Sequence, residues 1–145
     1  MNEKMLNALS SAIYVSRLTL DGKQVETDDQ KIRASGLYPD WVKGKHEKGE
    51  IYNANGQTWE CCQAYDNQNY PDLTPDDPSW HTFNRPLHGK TKETARPWVK
   101  PQYGTVDLYL NGEYMIYTDG KIYRCIVAST NFSPEEQADA WEVQE

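Results

Sequence analysis

The 145-residue sequence has few hydrophobic residues, no basic cluster and only three cysteines. No apolar run reaches about 18 residues, so we expect no membrane span, and MNEKMLNALSSAIYVSRLTL lacks the apolar core and cleavage site of a signal peptide. The net charge of −7 argues against nucleic acid or a membrane as partner. A hydrophobic content of 37% leaves enough for one ordinary domain or two small ones.

The cysteines do not form a disulfide framework, because their number is odd and Cys61 and Cys62 are adjacent. We expect Cys61 and Cys125 to be reduced, buried side chains that are not joined to each other. Adjacent cysteines point to opposite faces of a strand, and the three histidines lack the spacing of paired ligands. We therefore expect no metal site and no cofactor.

The sequence lacks the motifs that accompany catalysis. It has no Gly-X-Ser-X-Gly elbow and no glycine-rich phosphate loop. The acidic pairs Asp76-Asp77 and Glu135-Glu136 lie next to prolines, which is typical of solvated turns rather than of a glycosidase pair. No catalytic residues are predicted, and a small hydrolase is the remotest of the functions considered.

An internal repeat organises most of the chain. PDWVKG at 39–44 recurs as RPWVKP at 96–101, and the segment 49–67 recurs at 112–131. Each copy reads as a Trp, a strand opened by Gly-Glu, a turn, a strand with aromatic-X-Cys, and a proline-containing loop that ends in Trp. The offsets run from 57 to 64 residues, for the pairs Trp41 and Trp98, Gly49 and Gly112, Cys61 and Cys125, and Trp80 and Trp141.

Turn residues divide both copies into hairpins. Asn55-Gly56 and Asp119-Gly120 are typical of two-residue type I′ turns, in which both central residues need a positive φ. The flanking segments alternate in hydrophobicity, as antiparallel strands do. The sequence therefore predicts one antiparallel hairpin in each copy and a mainly β fold.

The first 36 residues read as a helical arm. A helix is predicted over 3–17, with Leu6, Leu9 and Ile13 on one side and Asn2 as its cap, and a short helix over 27–36 closed by Gly36. Two roles for the arm stay open, namely packing across one module and forming an oligomer contact. The polar segment 81–97 predicts a loop or linker.

The doubled pattern resembles the small chitin- and cellulose-binding modules of carbohydrate-binding families 5 and 12. It is also similar to related modules in tail-associated proteins of phages of Gram-positive bacteria. The resemblance implies an N-terminal helical arm over 1–36, then two small antiparallel hairpin-based modules, at 37–83 and 98–145, with a linker over 84–97. The matching residues include Trp41, Gly44, Gly49, Glu50, Gly56, Trp59, Cys61, Trp80, Gly112, Glu113, Tyr117, Gly120, Tyr123, Cys125, Phe132, Pro134 and Trp141.

The same resemblance indicates where a ligand would bind. The family's sugar-stacking aromatic falls on Leu73 in the first copy and on Phe132 in the second, and leucine has no π face for a sugar ring. The predicted glycan or partner contacts are therefore Phe132 and, as a replacement in the first copy, Tyr70. The other aromatics are expected in the core: Trp41, Trp59, Trp80, Trp98, Tyr123 and Trp141.

The resemblance finally implies a function. It indicates a non-enzymatic structural protein of a bacteriophage virion, in the tail or baseplate, assembled in the host cytoplasm. Its expected partners are other virion subunits, further copies of itself in a homo-oligomer, and the cell-wall polysaccharide of the host. The alternative is a secreted, free chitin- or polysaccharide-binding protein without a virion role.

Overall fold

The computed structural model of the chain describes residues 2–69, 73–77, 83–102 and 107–145. In these residues the protein consists mainly of small antiparallel and mixed sheets that follow an N-terminal helical segment. The predicted mainly β character and the helical start of the chain are confirmed.

The first helix, α1, spans Glu3–Leu20. The side chain of Asn2 caps it by accepting a hydrogen bond from the Met5 N–H at 2.8 Å, as the sequence predicts. The helix ends at Leu20 rather than at residue 17, and the Asp21 N–H still reaches the carbonyls of its last turn.

The second helix, α2, is shorter than predicted and spans Asp28–Arg33. Thr27 and Gln30 form a capping box at its start, in which each side chain accepts a hydrogen bond from the other residue's N–H. The prediction that Gly36 closes this helix is wrong. Gly36 lies inside a separate 3₁₀ turn at Ser35–Leu37, where it allows a close contact with α1.

Gly36 allows α1 to pack directly on the 3₁₀ turn. A Cβ at this position would lie 2.4 Å from the carbonyl oxygen of Asn7, so no larger residue fits without movement. Beside it, the fully buried Ser11 hydroxyl donates to the Arg33 carbonyl at 2.8 Å and accepts from the Gly36 N–H at 3.0 Å. At this contact the helix therefore faces the body of the protein with a small residue, Ser11.

An ion-pair network holds α2 against the first sheet. The Arg85 guanidinium donates to Asp28 at 2.9 Å and to Glu60 at 3.2 Å, and Lys31 reaches Glu60 at 2.8 Å. Burial raises the pKa of the Asp28 carboxyl, but the hydrogen bond and charge of Arg85 outweigh it and hold that pKa below its ordinary value. Asp28 is therefore ionised at neutral pH.

The first half of the chain contains a three-stranded antiparallel sheet and a small two-stranded ladder. The sheet has the order β2-β3-β5, and β1 pairs with β4 beside it. The strands are β1 (Lys45–His46), β2 (Ile51–Ala54), β3 (Gln57–Cys61), β4 (Tyr65–Asp66) and β5 (Asn84–Pro86).

The second half contains a four-stranded mixed sheet and another two-stranded ladder. The sheet has the order β11-β9-β8-β6, in which only β6 pairs in parallel, and β7 pairs with β10. The elements are β6 (Arg96–Pro97), β7 (Tyr109–Leu110), β8 (Tyr114–Ile116), β9 (Ile122–Cys125), β10 (Ser129–Thr130), a 3₁₀ turn (Ala138–Ala140) and β11 (Trp141–Gln144).

Both predicted hairpins turn where the sequence places them, but the second turn has a different geometry. Asn55 (φ 52°) and Gly56 (φ 76°) form the two-residue turn with both φ values positive. In the second hairpin only Gly120 has a positive φ, and Tyr117 and Lys121 close a loop of three residues. The additional residue explains why the repeat offset grows from 63 before the turn to 64 after it.

Backbone hydrogen bonds recur at corresponding places around the two hairpins. The glycine that opens each hairpin donates its N–H to the carbonyl of the cysteine in the second strand. The N–H of that cysteine donates to the carbonyl of the glutamate that follows the glycine. A Trp before each hairpin donates to the first long strand in the same way. The pairs are Gly49 to Cys61 and Gly112 to Cys125 (both 2.9 Å), Cys61 to Glu50 and Cys125 to Glu113 (both 2.8 Å), and Trp41 to Asn53 and Trp98 to Ile116 (both 2.8 Å).

The segment 84–97 differs from the predicted loop. Its first residues form β5 in the first sheet, and its last residues form β6 in the second. Between them Leu87 is fully buried and donates its N–H to the Thr58 carbonyl at 2.9 Å, while the Gly89 carbonyl accepts from Tyr114 at 2.9 Å. The segment is thus hydrogen-bonded to both halves.

The third strand of each sheet places a different residue opposite the cysteine. Trp141 lies opposite Cys125, and Asn84 lies opposite Cys61. Trp80, which the repeat pairs with Trp141, lies outside the described residues, so that pairing stays a prediction.

Each sheet has its own hydrophobic cluster. Tyr52, Trp59, Cys61 and Tyr65 form the first, and Tyr109, Met115, Cys125, Ala140 and Trp141 form the second. Trp41 and Trp98 pack at the margins of their clusters, half-buried. Cys61 and Cys125 are buried, free thiols, as predicted from their matching positions.

Candidate functional site

Phe132 is exposed on an ordered loop between β10 and the last 3₁₀ turn. Its side chain is 46% exposed, although phenylalanine has no polar atom to interact with water. The Thr130 hydroxyl accepts from the Phe132 N–H at 3.0 Å, and the Trp141 indole donates to the Phe132 carbonyl at 2.9 Å. The backbone of the loop is therefore fixed from both sides while the ring faces outward.

Lys100 and Glu136 complete the support of this loop. The Lys100 ammonium lies 5.4 Å from the centre of the Phe132 ring, donates to the Asn131 carbonyl at 3.1 Å and pairs with Glu136 at 3.2 Å. The hydrogen bond from the Ser133 N–H, together with Lys100, lowers the pKa of the Glu136 carboxyl. Phe132 thus combines an exposed apolar ring with a cation over the ring, and that cation is paired with a carboxylate.

A second aromatic surface lies beyond Trp141. Tyr117 and Tyr123 meet edge to face, with ring centres 6.0 Å apart, and line an open cleft of about 330 Å³ together with Trp141. The Tyr123 hydroxyl donates to the Asp119 carboxylate at 2.7 Å, and this hydrogen bond lowers the pKa of Asp119. Asp119 and Lys121 supply the polar rim of the cleft.

Sequence reasoning placed Tyr123 in the core and missed this cleft. Tyr123 is only half-buried, whereas Trp59, which occupies the matching position of the first hairpin, is fully buried. The sequence signal that indicates the cleft is the position of Asp119-Gly120 between Tyr117 and Tyr123. A turn at Asp119-Gly120 brings the Asp119 carboxylate close to the tyrosines on either side.

The first half does not present an equivalent of Phe132 among its described residues. Leu73 is half-buried, and its carbonyl accepts from the Asn67 amide at 3.1 Å. The predicted contact residue Tyr70 lies outside the described residues, so its role stays a prediction.

His88 is a buried titratable group near the second sheet. Its Nδ1 lies 3.1 Å from Glu113, and its ring stacks on Tyr109 at 3.8 Å. The other ring nitrogen, Nε2, is buried with no hydrogen-bond partner among the described residues. Among the described residues, no hydroxyl or thiol donates a hydrogen bond to this nitrogen as the nucleophile of a catalytic triad would.

The described residues include no group of three His, Cys, Asp or Glu side chains that could hold a metal ion. No helix in the described part of the chain is long and apolar enough to cross a bilayer. The chain matches no protein-family model and no curated protein. The resemblance to families 5 and 12 thus rests on the residues themselves and stays a prediction.

Proposed function

We propose that this chain is a non-enzymatic structural and binding protein of a bacteriophage virion, located in the tail or baseplate. It consists of two carbohydrate-binding-like modules behind a helical arm. It contacts other virion subunits and the cell-wall polysaccharide of the host, and it is assembled in the host cytoplasm. Phe132, exposed on a fixed loop, is the observation on which the binding role chiefly rests.

The recurring hydrogen bonds support the proposal of two related modules. Both hairpins are closed by the same exchange between a glycine, a glutamate and a cysteine. Before each hairpin, a Trp donates its N–H to the first hairpin strand, and the residues directly before that Trp form a short parallel bridge or strand with it. The resemblance implies that the two halves share one fold unit. The glycine, glutamate and cysteine that make these bonds in each half are also residues that carry the resemblance.

The surroundings of Phe132 support a role in recognition. Sugar rings bind to aromatic faces through their apolar C–H groups, and nearby polar groups determine their orientation. Phe132 provides an exposed aromatic ring, and Lys100 and Glu136 provide polar groups beside it. The cleft of Tyr117 and Tyr123 provides further aromatic surface on the same module.

Substitution of Phe132 tests the binding role. Phe132→Ala should weaken retention on insoluble chitin or on Gram-positive cell-wall polysaccharide by about thirtyfold, as expected for one lost aromatic anchor. Leu110→Ala is the matched control, because Leu110 is equally exposed, at 46%, on the same half. Leu73→Ala tests the corresponding position of the first half and should have little effect on retention.

These measurements show whether Phe132 is a contact residue. If Phe132→Ala stays folded and changes neither polysaccharide retention nor assembly with other subunits, Phe132 is not a contact residue. Cosedimentation of the purified chain with phage particles separates the two functions that remain. A chain that retains polysaccharide but does not attach to particles favours the free binding protein, whereas attachment to particles favours the virion protein.

A further inference from the structure

Helix α1 exposes an apolar face, interrupted only at Ser16, that the described residues leave largely uncovered. Leu6, Leu9, Ile13 and Leu20 lie along it, and each is between 46% and 87% exposed. At 100° per residue these four side chains fall within about 60° of one another around the helix axis. We call this face the α1 seam.

The seam points directly away from the protein body. Ser11, the buried contact to the 3₁₀ turn, lies on the opposite side of the helix wheel, at about 180° from the centre of the seam. The close contact at Gly36 fixes this orientation, because the two backbones touch there. The helix cannot rotate to bury its large apolar residues without losing that contact.

The seam has the spacing of a coiled coil. Leu6, Leu9, Ile13, Ser16 and Leu20 follow one another at intervals of three and four residues, which is the pattern of alternating a and d positions. A second helix of similar length would therefore pack along the whole of α1, which is about 27 Å long.

Charges at the margins of the seam indicate which helix fits. One margin has Glu3 near its start and Arg17 near its end, with the uncharged Ser10 between them. The other margin consists of Met5, Ala12 and Thr19, which are uncharged. The only ionic complement to the first margin is a helix that presents a cation opposite Glu3 and an anion opposite Arg17.

A second copy of α1 in the antiparallel direction provides that complement. In an antiparallel pair like margins face each other, so Glu3 meets Arg17 of the other copy, twice per pair. The same alignment places Leu9 opposite Ile13 at the centre, Leu6 opposite Ser16 towards each end, and the small Ala12 opposite Ala12. In a parallel pair the charged margin would face the uncharged one, and neither charge would have a partner.

We propose that the α1 seam is a homodimer interface in which two copies of this chain pair their first helices antiparallel. The contact is independent of glycan binding, because Phe132 and the aromatic cleft are on the second half of the chain. A lipid surface is a poorer occupant, because the seam is bordered by one arginine and one glutamate and the chain has a net charge of −7.

The first test is disruption of the seam. Sedimentation velocity of the full chain should show a dimer, and Ile13→Glu should weaken dimerisation by about a hundredfold or more, since it places a charge in the apolar centre. Val42→Glu is the matched control, because Val42 is exposed but lies outside α1, and it should dimerise like the parent. Circular dichroism verifies that both variants remain folded.

The second test determines the direction of pairing. Glu3→Arg alone and Arg17→Glu alone should each weaken the dimer by about tenfold, because each turns two attractive contacts into two repulsive ones. The double variant with both changes should restore the parent affinity to within about threefold.

Three outcomes would overturn the proposal. They are a folded monomer at all concentrations, a dimer that Ile13→Glu leaves intact, and single charge reversals that change nothing. Vesicles of phosphatidylcholine with phosphatidylglycerol serve as the alternative probe. A monomer that binds them, and loses that binding in Ile13→Glu, would assign the seam to a lipid surface instead.

Discussion

The two sheets place different chemistry at matching positions. In the first, the Tyr52 hydroxyl lies 2.9 Å from that of Tyr65 and donates to Asn84, so the core has a buried hydrogen-bonded centre. In the second, Met115 takes the place of Tyr52 and Trp141 that of Asn84, and the core packs through apolar contacts. The same pattern of backbone hydrogen bonds nevertheless occurs in both halves.

The difference indicates that turns and backbone pairing, rather than particular core residues, specify the hairpin. A tyrosine can replace a methionine only where its hydroxyl finds a partner, because a buried unpaired hydroxyl is costly. Asn84 supplies that partner in the first half. The first core therefore has a hydrogen-bonded polar pair at the two positions where the second core has apolar side chains.

The largest difference between the halves should appear at Trp59 and Tyr123, which share one position. Trp59→Ala removes a fully buried indole and should lower the free energy of unfolding by about 3–5 kcal/mol. Tyr123→Ala removes a half-exposed ring and should cost about 1 kcal/mol or less. Urea denaturation followed by circular dichroism measures both, and equal losses would contradict the proposed difference in burial.

The next effect should come from the buried hydroxyl. Tyr52→Phe leaves Asn84 without the Tyr52 hydrogen bond and should cost about 1–3 kcal/mol of stability. Met115→Leu, at the matching position, preserves size and should cost less than about 1.5 kcal/mol. If both variants lose the same stability, the polar centre does not distinguish the two cores.

A smaller contrast is expected between the turns. Asn55 has a φ of 52°, so Asn55→Ala should cost about 1–2 kcal/mol in the strained left-handed conformation. Asp119 does not adopt a positive φ, so Asp119→Ala loses only two exposed side-chain hydrogen bonds and should destabilise the protein less. Thermal unfolding of the two variants provides the comparison, and the reverse order would show that the hydrogen bonds of Asp119 outweigh the strain at Asn55.

The smallest contrast concerns the thiols. Burial raises the pKa of all three thiols, so the contrast depends on access: the buried Cys61 and Cys125 should react with a thiol reagent at pH 8 more than about tenfold slower than the half-buried Cys62. Because the folded state disfavours both thiolates, their contribution to stability should fall as pH rises above the ordinary thiol pKa. Unequal rates for Cys61 and Cys125 would reveal that one half opens more readily than the other.

Local features of the fold were predictable from the sequence, and contacts between distant segments were not. The cap at Asn2 and the positions of both turns depend on neighbouring residues, and the structure has them where expected. The strand β5 was missed, because Asn-Arg-Pro has neither alternation nor apolar residues and is a strand only through its pairing with β3.

In the candidate site, too, local features were predictable from the sequence and distant contacts were not. Phe132 was predicted from its spacing to Pro134 and Trp141, and it is exposed on its loop. The exposure of Tyr123 could not be predicted, because it depends on what the neighbouring strands leave uncovered. The direction of the apolar face of α1 depends likewise on Gly36, which approaches the helix from 29 residues beyond Asn7.

The segment between the sheets has a mechanical consequence. Leu87 is bonded to the first sheet and Gly89 to the second, and the Gln57 amide of the first sheet also reaches the Pro97 carbonyl at 3.1 Å. A pulling force applied across the two halves would therefore meet no slack chain to straighten. Extension would first have to break these hydrogen bonds and expose Leu87, so the pair of sheets would bear tension as a stiff coupling rather than as a tether.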